Sequence, residues 1–437
     1  LRKGIIWGAV VLAFPWFASG QQNPPSAPSS SPAQAVSPQP ASARVTLDDA
    51  IRLALLHNHA LQALRSTIQQ SLAEEVTANL RPNPTLGLDA QFLPIFQPNQ
   101  FSSEYIDQEA QFDAGVGYLF ERGKKRQHRL QAAKDQTAVV RSQVSDDERQ
   151  LIFNVGQQFV DVLLAESTME FAEQDLDSFQ KTVDISKERF RVGDMSEGDF
   201  LKIKLQLLQF QTDVSAARLA KLQALAALRQ LLGFESVPDE YDVQGALDYQ
   251  PVRSDVNGLK SIAAINRPDL RAAQQAVTAA ESQLALQKAN GKMDITGTFN
   301  YTHTAGVNTG AFYYNMPLPI FNRNQGEIQR ANYAITQAQE QASETAQQVS
   351  TDVVTAYENL HTNDEIIQLY QGGYVDQAKQ SRDISEYAYR KGAASLLDYL
   401  DSERTYRANQ LAYRQALASY MLAMEQMRQA VGTRNLP

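Results

Sequence analysis

Two acids recur in the same setting: Asp199 and Asp398 each stand three residues after a serine, Ser196 and Ser395, and six after a glycine, Gly193 and Gly392. A carboxylate so placed has two uses. At the start of a helix it caps backbone N–H groups, where the helix dipole favours negative charge. Gathered in several copies around a narrow axis, it concentrates a negative potential that admits cations and turns anions away. Asp401 lies too far into its helix to cap it and suits the second use better. Neither use makes or breaks bonds. The chain has no cysteine, which excludes disulfides, thiolate metal sites and thiol nucleophiles. The five histidines (His57, His59, His128, His303, His361) share no motif beyond His57-x-His59, and on a helix those two point apart. Met421, Met424 and Met427 follow one helical face. Thioethers bind soft metals such as copper(I), but they more often fill gaps between helices. No nucleophile elbow, phosphate loop or zinc motif occurs. The expectation is a non-enzyme with no catalytic residue, cofactor or metal site.

The elements that hold these acids are long helices. Val155, Val162, Met169, Leu176, Val183 and Phe190 recur at intervals of seven, the signature of helices wound around partners in a left-handed supercoil. The pattern predicts a helix over 123–191, a rod of about 100 Å at the usual rise, ending in the turn Val192-Gly-Asp-Met-Ser196. A second such helix is expected over 325–390. The two regions match without gaps at a constant offset: Arg191 on Arg390, Gly193 on Gly392, Ser196 on Ser395, Asp199 on Asp398, Leu201 on Leu400 and on to Gly233 on Gly432. An internal duplication follows, with repeat 1 over 44–247 and repeat 2 over 248–437. Each comprises a first helix, two strands, a long helix, a turn and a shorter helix (196–232 and 395–431).

Before each long helix the period changes to two. Strands are expected at about 84–96 and 108–120, then 294–304 and 310–321. Leu86, Leu88 and Phe92 alternate with Gly87, Asp89 and Gln91; Phe112, Ala114, Val116, Tyr118 and Phe120 alternate with Gln111, Asp113, Gly115 and Gly117; and the second pair behaves alike. Strands apolar on one face and polar on the other suit a barrel with lipid outside and water inside, although one sheet of a soluble sandwich alternates in the same way. Pro317 and Pro319 remove ladder donors and mark the last strand's end.

The N-terminus predicts export. Arg2 and Lys3 precede an apolar stretch from Gly4 to Phe17 and the small residues Ala18-Ser-Gly20, the pattern of a signal peptide over 1–20. Residues 21–43, rich in Pro, Ser, Ala and Gln, read as a disordered leader. No later apolar run reaches the length of a membrane helix, so a membrane crossing would be made by strands. The formal charge of −9 argues against nucleic acid as a partner. The basic run Arg122-Gly-Lys-Lys-Arg-Gln-His-Arg129 is either a solvated helix start or a contact with anionic headgroups.

Four strands cannot close a barrel, for which about eight is the lower limit; further copies of the chain in a symmetric ring would supply the rest. Here the sequence resembles the TolC family of outer-membrane efflux proteins (outer membrane factors) across 45–431. The most specific marks are Tyr389-Arg-Lys-Gly-Ala-Ala-Ser-Leu-Leu-Asp-Tyr-Leu-Asp401 and its echo Phe190-Arg-Val-Gly-Asp-Met-Ser-Glu-Gly-Asp-Phe-Leu201. The resemblance implies a mixed α and β fold: a homotrimer with a twelve-stranded transmembrane β-barrel, continued by a coiled-coil-like α-helical barrel in the periplasm of a Gram-negative bacterium. It implies a passive exit channel for efflux, joined through a periplasmic adaptor (membrane fusion) protein to an inner-membrane transporter. The turns at Gly193, Ser196, Gly392 and Ser395 would form the tip that meets the adaptor. Asp398 and Asp401 match acids lining the tunnel entrance; Asp199 and Tyr389 match positions that join helices in the closed state. A basic latch residue of the family is replaced by Ala394, and Lys202 stands where repeat 1 could have offered a second entrance acid. The segment Pro317-Leu-Pro-Ile-Phe-Asn-Arg-Asn-Gln-Gly326 resembles the cation-efflux branch, which leans the expected substrate toward metal cations over small toxic compounds. The alternatives are the outer-membrane component of a type I protein secretion system and a non-conducting structural coiled-coil envelope protein.

Overall fold

The structure, a computed structural model, describes residues 43–252 and 255–436. The expected signal peptide and, except for Ala43, the leader lie outside the described residues. Ala43 itself opens strand β1 (Ala43–Val45), which pairs in parallel with β4 (Tyr241–Val243), an element that the composition does not suggest.

The first expected helix is two: α1 (Leu47–His57) and α2 (His59–Asn79). Asn58 divides them. Its Oδ1 accepts from the Leu61 N–H at 2.9 Å, capping α2, while its Nδ2 donates to the Leu231 carbonyl at 2.9 Å. A side chain that caps as well as asparagine does competes with the helical backbone for its own N–H groups. The partner break in the second half, between α6 (Val256–Asn266) and α7 (Pro268–Asn290), falls at Arg267-Pro268, where proline suits the first helical position.

Four antiparallel strands form one sheet in the order β2 (Thr85–Gln91), β3 (Gln111–Phe120), β5 (Ile295–Thr304) and β6 (Val307–Asn315). Strand β2 is shorter than expected because Phe92 turns to positive φ, +57°. The connection to β3 contains a short helix, α3 (Ser103–Gln108). Strand β6 begins earlier, through a two-residue turn at Ala305-Gly306 with positive φ at both positions, the turn whose twist matches a hairpin. It ends before Pro317, leaving 316–321 outside the sheet. Register fixes the faces. Leu86 and Val116 oppose one another and lead on to Phe299 and Phe312 on one side; Asp113, Thr302 and Thr309 share the other.

From the sheet run the long helices. Helix α4 (Lys125–Arg191) is continuous over 67 residues and is followed by α5 (Glu197–Leu232). Its counterpart is not continuous: α8 (Gln325–Leu369) and α9 (Val375–Arg390) are separated by a wide π-type turn at Tyr370–Tyr374, and α10 (Leu396–Val431) follows. The expected single helix over 325–390 is thus corrected. Gly372 and Gly373 carry the weakest helix preference apart from proline, and Gly373 adopts φ +103°. Among the described residues no helix is long and apolar enough to cross a membrane.

Four apolar clusters organise the helices among the described residues, the smallest being Ala172, Val214 and Ala217 with Met169 and Leu176 packed against them. Of the larger three, the first gathers Ile51, Val155, Phe159, Val162 and Leu228 beneath β1 and β4; the second gathers Leu259, Val353, Ile367, Tyr420 and Met427; the third, near the two turns, gathers Phe179, Ile203, Phe210, Tyr389 and Tyr399. The seven-residue line faces these clusters as far as Val183. Phe190 is half-exposed and stacks on Phe200 at 5.0 Å. Met424 and Met427 pack in the second cluster and Met421 against the first, so the thioethers serve as packing.

Candidate functional site: two turns and the joint between them

Both long hairpins end in the same hydrogen-bonded turn. After α4 the N–H of Gly193 donates to the Phe190 carbonyl at 3.1 Å and that of Asp194 to Arg189 at 2.8 Å. After α9 the N–H of Gly392 donates to Tyr389 at 3.0 Å and that of Ala393 to Ala388 at 2.8 Å. These paired bonds satisfy the last carbonyls of each helix, and they require a left-handed residue. The glycines supply it, at φ +82° and +76°.

Serine starts the return helix in both. Ser196 Oγ accepts from the Asp199 N–H at 3.1 Å and donates to the Asp199 carboxylate at 2.9 Å. Ser395 Oγ accepts from the Asp398 N–H at 3.2 Å and donates to Oδ2 of Asp398 at 2.7 Å; that oxygen also accepts from the Ser395 N–H at 3.3 Å, completing a reciprocal cap. Asp199 and Asp398 therefore cap their helices. Asp199 also accepts from Lys202 Nζ at 3.1 Å, and the hydrogen bonds from Lys202 and Ser196 hold its carboxyl below the usual range. Asp401 stands free of the cap on the exposed surface of α10, paired with Arg404 at 2.6 Å.

Tyr389 lies elsewhere. It is buried, with its hydroxyl 3.3 Å from Ser186 Oγ on α4 and its ring stacked on Tyr399 of α10 at 5.4 Å. Arg189 of α4 crosses the same gap to donate to the Tyr389 carbonyl at 3.2 Å. Tyr389 thus fastens the second hairpin to the first within one chain. Among the hydrogen bonds of the described residues, Asp199 reaches only its own hairpin, so the structure does not bring it to Tyr389.

Further along the hairpins lies a charged cluster that motif reading passed over. Asp175 of α4 and Glu403 of α10 are both buried, at 5% and 4% exposure. Arg407 Nε lies 2.7 Å from Asp175, and its Nη2 lies 2.5 Å from Asp213 of α5. The Arg407 guanidinium also covers the Phe210 ring at 4.1 Å. Arg382 of α9 approaches Asp383 at 3.0 Å and Glu386 at 3.9 Å and lies over Tyr406 at 4.6 Å. Burial, then the charge of Asp175, pushes Glu403 up to about 8; burial also raises Asp175. The sequence did hold a signal: Leu396, Tyr399, Glu403 and Tyr406 lie on one helical stripe, and an acid in a buried stripe must find a partner.

At the other end the basic run is mostly spent on the chain itself. Lys125 pairs with Asp294 at 2.7 Å, Arg129 with Glu121 at 2.8 Å, and Arg126 reaches Asn79. Arg122 and Lys124 remain exposed.

The family described as Outer membrane efflux protein matches this chain over 50–234 and 259–433. Among curated proteins, the cobalt-zinc-cadmium resistance protein CzcC of Cupriavidus metallidurans is 22% identical, covering 85% of this chain and 86% of its own. Outer membrane protein TolC of Vibrio cholerae is 23% identical, covering 70% and 72%. Among solved structures, CusC superposes with a TM-score of 0.73 at 18% identity, over 89% of this chain and 92% of that one. The open state of the MtrE outer membrane channel of Neisseria gonorrhoeae gives 0.73 at 18%, over 89% of each chain. At these identities the structural likeness speaks for the fold.

Proposed function

Because the chain belongs to the outer membrane efflux protein family, whose members are Gram-negative outer-membrane channels, we propose that it is the passive exit duct of a tripartite efflux system, assembled as a homotrimer. The sheet carries the argument. Leu86, Leu88, Val116, Phe312 and Tyr314 stand exposed on one face, while Asp113, Asn300 and Thr302 hydrogen bond to one another on the other. Within one chain β2 and β6 each leave an edge unpaired among the described strands. Exposed apolar side chains and open edges are both costly in water. Three copies edge to edge would give twelve strands, with the apolar face toward lipid and the polar face around water. The similar order of elements in the two halves supports an internal duplication, so that each protomer would add two staves to a helical tunnel in the periplasm.

In this reading the turns at Gly193–Ser196 and Gly392–Ser395 form the periplasmic tip and the surface offered to an adaptor protein, behind which stands an inner-membrane transporter. Asp401, and the outward oxygen of Asp398, would ring the entrance. Metal cations are the favoured substrates, since relatives include proteins named for cobalt-zinc-cadmium resistance and cation efflux; small toxic compounds are the second class. The mass of the purified protein in detergent tests the assembly: a trimer is expected, and a monomer with no tendency to associate would contradict it. A deletion strain challenged with cobalt, zinc, cadmium, copper and a panel of dyes and detergents tests the substrate. Sensitivity confined to the dyes and detergents would overturn the metal assignment.

A further inference from the structure

Where the sheet gives way to the helices, the β3–α4, α7–β5 and β6–α8 junctions meet. The Arg122 N–H donates to Oδ1 of Asp294 at 2.9 Å, which ties the end of β3 to the start of β5. A side chain at Gly123, φ +73°, would collide with Lys292 Cδ at 2.6 Å, so the stem of Lys292 lies over that glycine. A side chain at Gly291 would meet the Arg323 carbonyl at 2.6 Å, and Asn324 Nδ2 donates to the Gln287 carbonyl at 2.8 Å. Arg122, Lys124, Lys292 and Arg323 are thereby gathered, and all four are exposed. The acids beside them are already matched: Asp294 with Lys125 at 2.7 Å, Glu121 with Arg129 at 2.8 Å and Glu327 with Arg330 at 2.6 Å. Among the described residues, none of the four cations has a carboxylate partner. The residue before each long helix has positive φ, +58° at Lys124 and +63° at Asn324. Asparagine suits that backbone, and its side chain is used; Lys124 offers its helix no side-chain cap, and its charge is left over.

Charge runs are commonly just solvated, and here the neighbours decide otherwise. Beside the cations stand the exposed apolar residues Phe120, Leu318, Ile320 and Phe321, the last 90% exposed. Arg323 Nε reaches back to the Pro319 carbonyl at 3.1 Å, which holds the cationic and apolar parts together. Water or a free anion would serve the cations and leave the apolar side chains unmatched. A ligand that answers both has an anionic head and an apolar body. We propose that this junction holds an anionic phospholipid, its phosphate among Arg122, Lys124, Lys292 and Arg323 and its acyl chains along Phe120, Ile320 and Phe321. Ammonium and guanidinium groups both bind phosphate, arginine through two parallel bonds. A zwitterionic headgroup fits less well, because its own ammonium would lie among four like charges. With the strands in the outer membrane, the site faces the leaflet on the periplasmic side; that placement rests on the proposed duct. The bound lipid would fix the depth at which the barrel sits.

Native mass spectrometry of the purified protein in detergent tests the site. Phosphatidylglycerol and phosphatidylethanolamine with identical acyl chains are supplied at equal concentration, and the lipids retained are counted. Phosphatidylglycerol should be preferred. Each cation removed should weaken its retention about fivefold, so Lys124→Gln/Lys292→Gln should lose roughly 25-fold and most of the preference with it. Lys187→Gln, which removes an exposed charge far along α4, should retain lipid as the unaltered protein does. Arg122→Gln/Arg323→Gln gives the same reading if the first pair fails to fold. Equal retention of both lipids by the unaltered protein, a preference that survives in the double variants, or loss of the lipid to inorganic phosphate at matched ionic strength would overturn the site. The measurement needs no pore, so bilayer conductance of the same protein separates the two ideas. Selective retention by a protein that conducts nothing would keep the lipid site and contradict the duct; conduction without selective retention would do the reverse.

Discussion

The two hairpins of this chain end alike and differ along their length. Each closes with a left-handed glycine, a serine cap and an aspartate at the third helical position. Yet α4 is one helix of 67 residues, while its counterpart breaks where Gly372-Gly373 stand in place of Glu173-Gln174. Lys202 neutralises the first tip, and the matching position of the second is Asp401. Lys204 likewise matches Glu403, the acid buried in the joint. Local hydrogen bonding fixes the ends, so both hairpins share it. The middle of each helix faces something different, and there the hairpins differ: one helix is unbroken, the other is interrupted at Tyr370–Tyr374.

The largest expected effect breaks the joint that couples them. Arg407→Ala leaves the buried Asp175 without its guanidinium and unpairs Asp213, and should cost about 3–5 kcal/mol, read as a fall in the thermal unfolding midpoint in detergent. Making the two hairpins alike has the next largest effect. Glu173→Gly with Gln174→Gly should cost about 2 kcal/mol, at roughly 1 kcal/mol per glycine, and should raise hydrogen exchange in the middle of α4 to match that around Tyr370–Tyr374. Removing the caps should cost less: Ser395→Ala about 1 kcal/mol and Ser196→Ala slightly less, because only Ser395 belongs to a reciprocal cap. Local exchange at the first turn of each helix measures both.

The smallest effect is a pH dependence at the first tip. Lys202 and Ser196 hold the Asp199 carboxyl below its ordinary value of 3.8. That contribution is present above 3.8 and disappears as pH falls through the lower folded value. The start of α5 should therefore fray in acid, seen as faster exchange at Phe200 and Leu201, and Lys202→Ala should move the onset to higher pH. An onset unchanged in Lys202→Ala would contradict the role given to that lysine.

Much of the architecture can be read from the chain because period and punctuation are local. Sevenfold spacing along Val155–Val183 predicts α4, alternation about Phe112–Phe120 predicts β3, and Pro268 and Pro317 mark a break and an end. The matched glycines and serines locate both turns. Asn58 divides the first helix through a bond to Leu231, which lies far away in sequence, so that break has no strong local sign. Gly372-Gly373 is a local sign, set between helical patterns on both sides. The caps at Asp199 and Asp398 follow from spacing alone, whereas the Asp175–Glu403 joint depends on which helices meet. Tyr389 is the intermediate case: its neighbourhood was expected to join helices, but its partners Ser186 and Arg189 become visible only in the packed chain.

The proposed molecule is a water-filled duct whose narrow end carries the acids of the second hairpin. Ion selectivity in a planar bilayer tests it most directly. The purified protein should conduct and prefer cations, with the preference reduced in Asp398→Ala/Asp401→Ala while conduction persists. A protein that inserts no conducting pathway, or one whose selectivity is the same with and without those two acids, would contradict it.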